Sequence, residues 1–331
     1  MSAAPDPQRS APPGAAHGEP PNTGVSGIIL AGTYPWTNSR FDRLLARALV
    51  PVAHRPLIAY GLSALQKAGI ARVTICGNRN TQALAAWLES RRQEEPHLSY
   101  LEDAMPRGSA GCVLDVAAAD DSQTFVVTDG TSIPNVDLAR LLERHRNSGA
   151  AATVAVYPER RASGEHMPRI PVGVYIFEGH ALRSVLRRGF LDIKEHLIPA
   201  LVRSGERVAT YEGSGMTLRV WNEQTYLATN EAVMAAMASS DKGPEGYQRR
   251  GDAWIHADAS VADDVVLAGP ILIAPGAMVR PKAVLIGPTS IGLDVTVGAG
   301  ALVSRSAVWR RSNIRAGAMV DRAVIADDSV V

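Results

Sequence analysis

From Ile255 onward, every sixth residue is large and apolar: Ile255, Val261, Leu267, Ile273, Val279, Leu285, Ile291, Val297, Val303 and Trp309. Four residues after each of the first nine stands a smaller or modest side chain: Ala259, Val265, Ile271, Ala277, Ala283, Thr289, Val295, Ala301 and Ala307. A period of six fits neither the turn of an α-helix nor the alternation of a plain strand. It fits a β-helix, whose coils stack short strands and turn apolar corners inward. Ten consecutive hits are too many for an accident. Beyond Trp309 the register slips by one, to Ile314 and Val320, as expected of an atypical terminal coil. Residues 254–331 are therefore assigned to the repeat.

The chain ahead of the repeat follows another rule. "VSGIILAG" reads as a buried strand opening into a loop, and "PLIAYGLSALQKAGI" places its apolar residues at helical spacing. "ARVTICG", "TFVVTDG" and "AAATVAVY" are further strands, and "TQALAAWLESRRQ" and "VDLARLLERHRNSG" further helices. Strands alternating with helices predict a mixed, mostly parallel, doubly wound Rossmann-like α/β domain over 25–236. Ligands of such sheets lie at the carboxyl ends of the strands, which puts the loop after "GIIL" in the right place for one. The polar stretch 237–253 reads as a linker. Residues 1–24, rich in Pro, Ala and Gly, have almost nothing to bury and read as a disordered tail.

Composition removes several classes. A net charge of +1 gives no electrostatic footprint for nucleic acid. No run of about 18 apolar residues suggests a membrane span, and the N-terminus lacks the hydrophobic region of a signal peptide. The two cysteines, Cys76 and Cys112, are far apart in sequence and read as small core residues in a reducing, cytoplasmic setting. His54, His180 and His196 show no paired spacing, so no zinc site is expected.

The segment from Ala31 to Val52 has the length and both ends of a loop known from one enzyme family, Ala31 and Gly32 at one end and Leu49, Pro51 and Val52 at the other, followed by "HRPLIAY". "PRGSAG" (Pro106–Gly111), "FVVTDG", "PVGVYIF", "DIKEHLIPALVRSGERVATYEG" and "WNEQTYLATN" follow in order. With the six-residue repeat behind them, these motifs resemble the sugar-nucleotide pyrophosphorylases (sugar-1-phosphate nucleotidyltransferases). The closest kind is the two-domain type with a C-terminal left-handed β-helix, such as the mannose-1-phosphate guanylyltransferases. The resemblance covers about residues 25–331.

It implies a reaction in which a sugar 1-phosphate attacks the α-phosphorus of a nucleoside triphosphate and expels pyrophosphate. Such transfer depends on positioning and charge neutralisation. The family uses loop glycines, a loop arginine, a lysine near the loop's end and two aspartates on Mg2+. Carried over position by position, the nucleotide would meet Ala31, Gly32, Thr33, Pro106, Gly108, Ser109 and Gly111, and the sugar Gly173 and Tyr175. Here the chain departs from the pattern. Thr33 and Pro35 replace two loop glycines, Thr37 the arginine, and Arg47 the lysine. The two metal aspartates fall at Thr131 and Arg219, and the family's V-E-K-P motif is not visible in "VYPERRASGEHMP". Substitutes are available: Asp129 for the metal, Arg47 as the catalytic cation, Arg40 and Arg43 in the loop, and Arg160 and Arg161 for the sugar phosphate. Each has a plainer reading, as a turn aspartate or a surface arginine.

Two readings follow. In one, the chain binds a nucleotide or nucleotide sugar, has reduced or lost turnover, needs no metal, and regulates or partners an active relative as a homo- or hetero-oligomer. In the other, it is an active divergent nucleotidyltransferase that uses Mg2+. A third, acyl transfer on the β-helix, is disfavoured because His256 is the only histidine near the coils. Neither nucleic acid nor membrane is expected as a partner.

Overall fold

The computed structural model describes residues 24–32, 45–78, 81–91, 97–103, 105–160, 166–186, 188–213, 215, 217–240 and 243–331. The N-terminal tail, Thr33, Pro35, Trp36, Thr37, Arg40, Arg43 and Arg161 lie outside the described residues, as does the side chain of Arg160.

The strands of the first domain are β1 (Val25–Leu30), β4 (Val73–Asn78), β5 (Leu98–Asp103), β6 (Thr124–Asp129), β8 (Ala152–Arg160), β9 (His166–Glu178) and β10 (Val208–Glu212). Short strands β2 (Pro51–Val52) and β3 (Arg55–Pro56) form a hairpin, and β7 (Ser132–Ile133) pairs with β11 (Leu218–Arg219). The seven-stranded sheet has the order β10-β8-β9-β6-β1-β4-β5. Every pairing is parallel except those of β9, which runs antiparallel to both β6 and β8 and makes the sheet mixed.

Alternate residues of these strands feed two separate cores. Ile29, Ile75, Val126 and Ile176 face one layer of helices, α1 (Ile58–Lys67), α2 (Gln82–Arg91) and α4 (Leu138–Ser148). Ile28, Cys76, Phe125, Val127 and Phe177 face the other, built from α3 (Gly108–Ala119), α5 (Gly179–Ser184), a π-turn (Ile193–Leu197) and α6 (Ile198–Arg203). Burial on both faces explains the near-continuous apolar runs of the central strands. Each such side chain contributes roughly 1.5–3 kcal/mol of transfer free energy.

Helix α7 (Glu223–Ala238) opens on an Asn222–Thr225 capping box and leads to the second region. Within the polar stretch 237–253, Tyr247–Arg250 forms β12, which pairs antiparallel with β13 (Ala253–His256). From β13 on, three ladders of short parallel strands stack coil upon coil. The repeat residues meet inside: Ile273, Val279, Leu285, Ile291, Val297 and Val303 share one buried cluster. Two-layer burial on the sheet β13–Ile325 comes from docking. Its outer residues Trp254, Leu272, Ser290 and Ala307 are in register and face the first domain.

One expectation needs correction. Trp309 is not the tenth inward residue of the repeat. Val284–Ile286 pairs in step with Leu302–Ser304, but Ile291 pairs with Val308. The coil is therefore one residue short at the corner Arg305, and the slip precedes Trp309 instead of following it. Val308 points inward, and Trp309 turns out onto the first domain. There its indole N–H donates to Tyr226 Oη at 2.9 Å, and Tyr226 donates to the Pro51 carbonyl at 2.6 Å. Asn230 continues the seam by accepting from the Ala53 N–H at 2.8 Å and donating to Ser290 Oγ at 3.4 Å. His54, next in the same hairpin, is held neutral, with burial pulling its pKa down to about 4.

Candidate functional site

Parallel register brings the ends of β1, β4 and β6 level, with Leu30 opposite Cys76 on one side and Asp129 on the other. Carbonyls and side chains at these ends open into a cleft along the sheet's edge. Its inner part, about 350 Å³, is lined by Gly32, Gly77, Asn78, Gly108, Ser109 and Asp192, among others. Its outer part, about 430 Å³, shares Leu30, Gly32, Ser109 and Asp192 and adds Arg47, Asp129, Thr131, Gly173, Tyr175, Lys194, Arg219 and Trp221.

The inner wall is the start of α3 laid against the segment 191–195. Gly108 has φ +82, and a Cβ there would collide with the Leu191 carbonyl. Only glycine lets the two backbones approach this closely. The N–H groups of Ala110 and Gly111 donate to that carbonyl at 2.9 and 3.3 Å. Ser109 Oγ donates to Asp192 at 2.8 Å and accepts from the Ile193 N–H at 2.9 Å. Asp192 also accepts from the Lys194 and Glu195 N–H groups at 2.7 and 3.2 Å. Burial alone would raise its pKa, but these hydrogen bonds and the Lys194 charge outweigh it and hold the carboxylate below its ordinary range.

The outer wall is organised by Asp129. Its Oδ1 accepts from the Thr131 N–H at 2.8 Å and from Thr131 Oγ1 at 2.7 Å. Its Oδ2 pairs with Arg219 Nη2 at 3.1 Å. The β7–β11 ladder fixes this meeting, because Arg219 stands opposite Ser132, three residues after Asp129. The guanidinium carbon of Arg219 lies 5.0 Å from the centre of the Trp221 ring, a cation–π geometry. Gly173, with φ +81, leaves room for this arrangement, since a Cβ would lie 2.6 Å from Arg219 Nη2. Tyr175, beside it, has its hydroxyl pushed up by burial.

The residues nominated from sequence thus separate. Gly32, Arg47, Gly108, Ser109, Asp129, Gly173 and Tyr175 line the cleft together. Ala31 is wholly buried in the core beneath it, Pro106 is exposed away from it, and Gly111 lies buried inside α3 against Arg107. Thr33 lies outside the described residues. Asp192, Lys194 and Trp221 were not nominated. Asp192 was in view within "DIKEHL", but nothing in the sequence tied it to Ser109. Cys112, expected in the core, is only half-buried and lines the cleft with Cys76.

The metal expected from the resemblance does not fit these residues. Where two carboxylates would stand, there is a hydroxyl and a guanidinium, and the neighbouring carboxylate is already engaged by both. Among the described residues no three His, Cys, Asp or Glu side chains cluster in a way that could hold an ion. Nor is any described helix long and apolar enough to cross a membrane.

Comparison with known proteins agrees with this fold. Residues 26–164 match the family model described as "Nucleotidyl transferase". Over 320 residues the chain is 23% identical to a mannose-1-phosphate guanylyltransferase of Mycobacterium tuberculosis, covering 90% of this chain and 83% of that protein. It is 27% identical over 300 residues to a glucose-1-phosphate thymidylyltransferase of Streptomyces griseus, covering 82% and 79%. In fold it is similar to HddC from Yersinia pseudotuberculosis, solved in complex with GMP-PN, at a TM-score of 0.52 and 11% identity. That likeness covers 63% of this chain and 99% of that one.

Proposed function

Because the chain belongs, through its first domain, to the nucleotidyl transferase family of sugar-nucleotide pyrophosphorylases, we propose that it binds a nucleotide or nucleotide sugar without a divalent metal, with turnover reduced or lost. On this reading it serves nucleotide-sugar or polysaccharide metabolism by regulating an active relative, as a homo-oligomer or a mixed assembly. The observation that carries the proposal is the Asp129–Arg219 ion pair at 3.1 Å. A fixed guanidinium stands where the family places a metal-binding carboxylate. Arg219 offers N–H donors suited to phosphate oxygens, and Arg47 and Lys194 line the same end of the cleft. The base would enter the inner end, between Gly77 and the start of α3. The diphosphate would cross Gly32 toward Arg47 and Arg219, and the sugar would sit by Gly173 and Tyr175.

No cation steadies a leaving pyrophosphate in this arrangement except the side chains themselves. Arg219 is also partly neutralised by Asp129, which weakens it as a stabiliser of developing charge. Binding survives such a change better than catalysis, because uniform binding needs no extra charge in the transition state.

The deciding experiment is calorimetric titration of nucleoside triphosphates and nucleotide sugars, in chelator and in Mg2+, alongside pyrophosphate release with a panel of sugar 1-phosphates. The expected result is equal affinity in both buffers and no release. Magnesium-dependent release with any pair would overturn the reading in favour of an active enzyme, and Asp129→Ala would then be the first variant to make. Failure of every nucleotide to bind at millimolar concentration would overturn both.

A further inference from the structure

Between β11 and α7 the chain runs along the outer cleft as a short strap. Val220 is wholly buried in the seam with Tyr226 and Trp309, and its N–H donates to the Thr131 carbonyl at 3.1 Å. Alternation along an extended backbone turns its neighbours Arg219 and Trp221 the other way, and both line the outer cleft. The position of Trp221 is fixed from two sides. Its N–H donates to Thr225 Oγ1 at 2.8 Å, and the N–H of Asn222 donates to the same oxygen at 3.0 Å. Arg219, tied to Asp129 at 3.1 Å, sits over its ring. The residue is nevertheless 46% exposed. An indole is a large apolar body that gains most by being covered. Here it is held in place in a cleft with much of its surface open.

We propose that Trp221 is a specificity-determining residue: its ring is the platform for the pyranose of a nucleotide sugar, and it supplies affinity that a bare nucleoside di- or triphosphate does not receive. This rests on the nucleotide reading of the cleft. Arg47, Lys194 and Arg219 line the same outer end, where the diphosphate is expected. The group attached beyond that diphosphate comes next to Trp221, because the ring adjoins Arg219. In a triphosphate this group is a charged phosphoryl. It is costly to strip of water and gains nothing from the negative face of an arene. In a nucleotide sugar it is a pyranose, whose C–H groups form an apolar face of slight positive charge. Such a face packs on an aromatic ring and takes the apolar surface of both out of water. Because Arg219 and Thr225 already hold the ring, contact costs it little freedom.

The test compares calorimetric affinities of the full chain for GDP, UDP, dTDP and ADP with those for GDP-mannose, UDP-glucose, dTDP-glucose and ADP-glucose. Each is measured on the parent, Trp221→Ala and Trp221→Phe. For the base that binds most tightly, Trp221→Ala is expected to weaken the sugar conjugate about tenfold and to leave the bare diphosphate nearly unchanged. Trp221→Phe, which keeps a ring, should retain most of the sugar-dependent gain. Saturation of the aromatic protons should pass to the sugar C–H protons in the parent and not in Trp221→Ala. Unchanged affinity for the conjugate in Trp221→Ala would overturn the platform and leave the nucleotide reading standing. Equal losses for conjugate and bare diphosphate would also overturn it, and would assign the ring to the support of Arg219. Binding of no diphosphate and no conjugate at millimolar concentration would instead overturn the nucleotide reading, and the platform with it.

Discussion

The two ends of the cleft solve the problem of a polar hollow in opposite ways. At the inner end, backbone meets backbone: Gly108 approaches the Leu191 carbonyl, and Asp192 spends its oxygens on Ser109 and on local N–H groups. The close approach that shapes this wall is made by main chain. At the outer end, side chain meets side chain, with Asp129 satisfied by Thr131 and Arg219, and Arg219 stacked on Trp221. Geometry that depends on backbone tolerates sequence drift around it. Geometry that depends on a pair of charges changes its chemistry as soon as one partner is exchanged. The inner end is therefore the more tolerant of the two, while the chemistry of the outer end turns on the Asp129–Arg219 pair.

Four measurements would break or sharpen this contrast. The largest effect is expected from Gly108→Ala, which adds a methyl against an immobile carbonyl at a φ of +82. A cost of about 3 kcal/mol or more is expected, read as a shift in urea midpoint, together with loss of nucleotide binding. Arg219→Ala should cost about 2 kcal/mol in metal-free affinity, because it removes a charged donor and leaves Asp129 without its counterion. In the same variant magnesium should begin to affect binding; indifference to both changes would show that the guanidinium is not a ligand contact.

Gly173→Ala comes next. Its new methyl would meet the side-chain end of Arg219 instead of backbone, so about 1–2 kcal/mol is expected, mostly from the positive φ. If it proves as damaging as Gly108→Ala, the distinction between the two ends fails. The smallest effect is on acid stability. The folded pKa of Asp192 is depressed, so its contribution is complete at neutral pH and is lost as pH falls through that value, below the ordinary carboxylate range. A thermal-midpoint profile of Asp192→Asn should therefore lie below that of the parent at neutral pH and converge with it in acid.

Much of this was legible beforehand. Ile28 and Ile29 announce a strand buried on both faces, and the six-residue period requires a β-helix. Gly32, Gly108 and Gly173, nominated from the resemblance, and Asp129, nominated as a substitute, do line one cleft. What was not legible depended on pairings between distant segments. That Asp129 would meet Arg219 follows from the β7–β11 ladder, which joins residues almost ninety apart in a way no local pattern encodes. The Ser109–Asp192 bond is of the same kind. Trp309 was misread for a different reason. A missing residue at Arg305 leaves the apolar count intact for one more step, so the period alone cannot say where the slip occurs.

That short corner also sets the phase of the whole array. Between Trp254 and Trp309 an added or lost residue would swing Trp309 away from Tyr226 and release the hairpin Pro51–Pro56. The following coil is held to the same count, because Val324 and Ala326 pack against the same seam. The β-helix is thus geared to the first domain along its length, and a slip in any of these coils would be felt where the two domains meet.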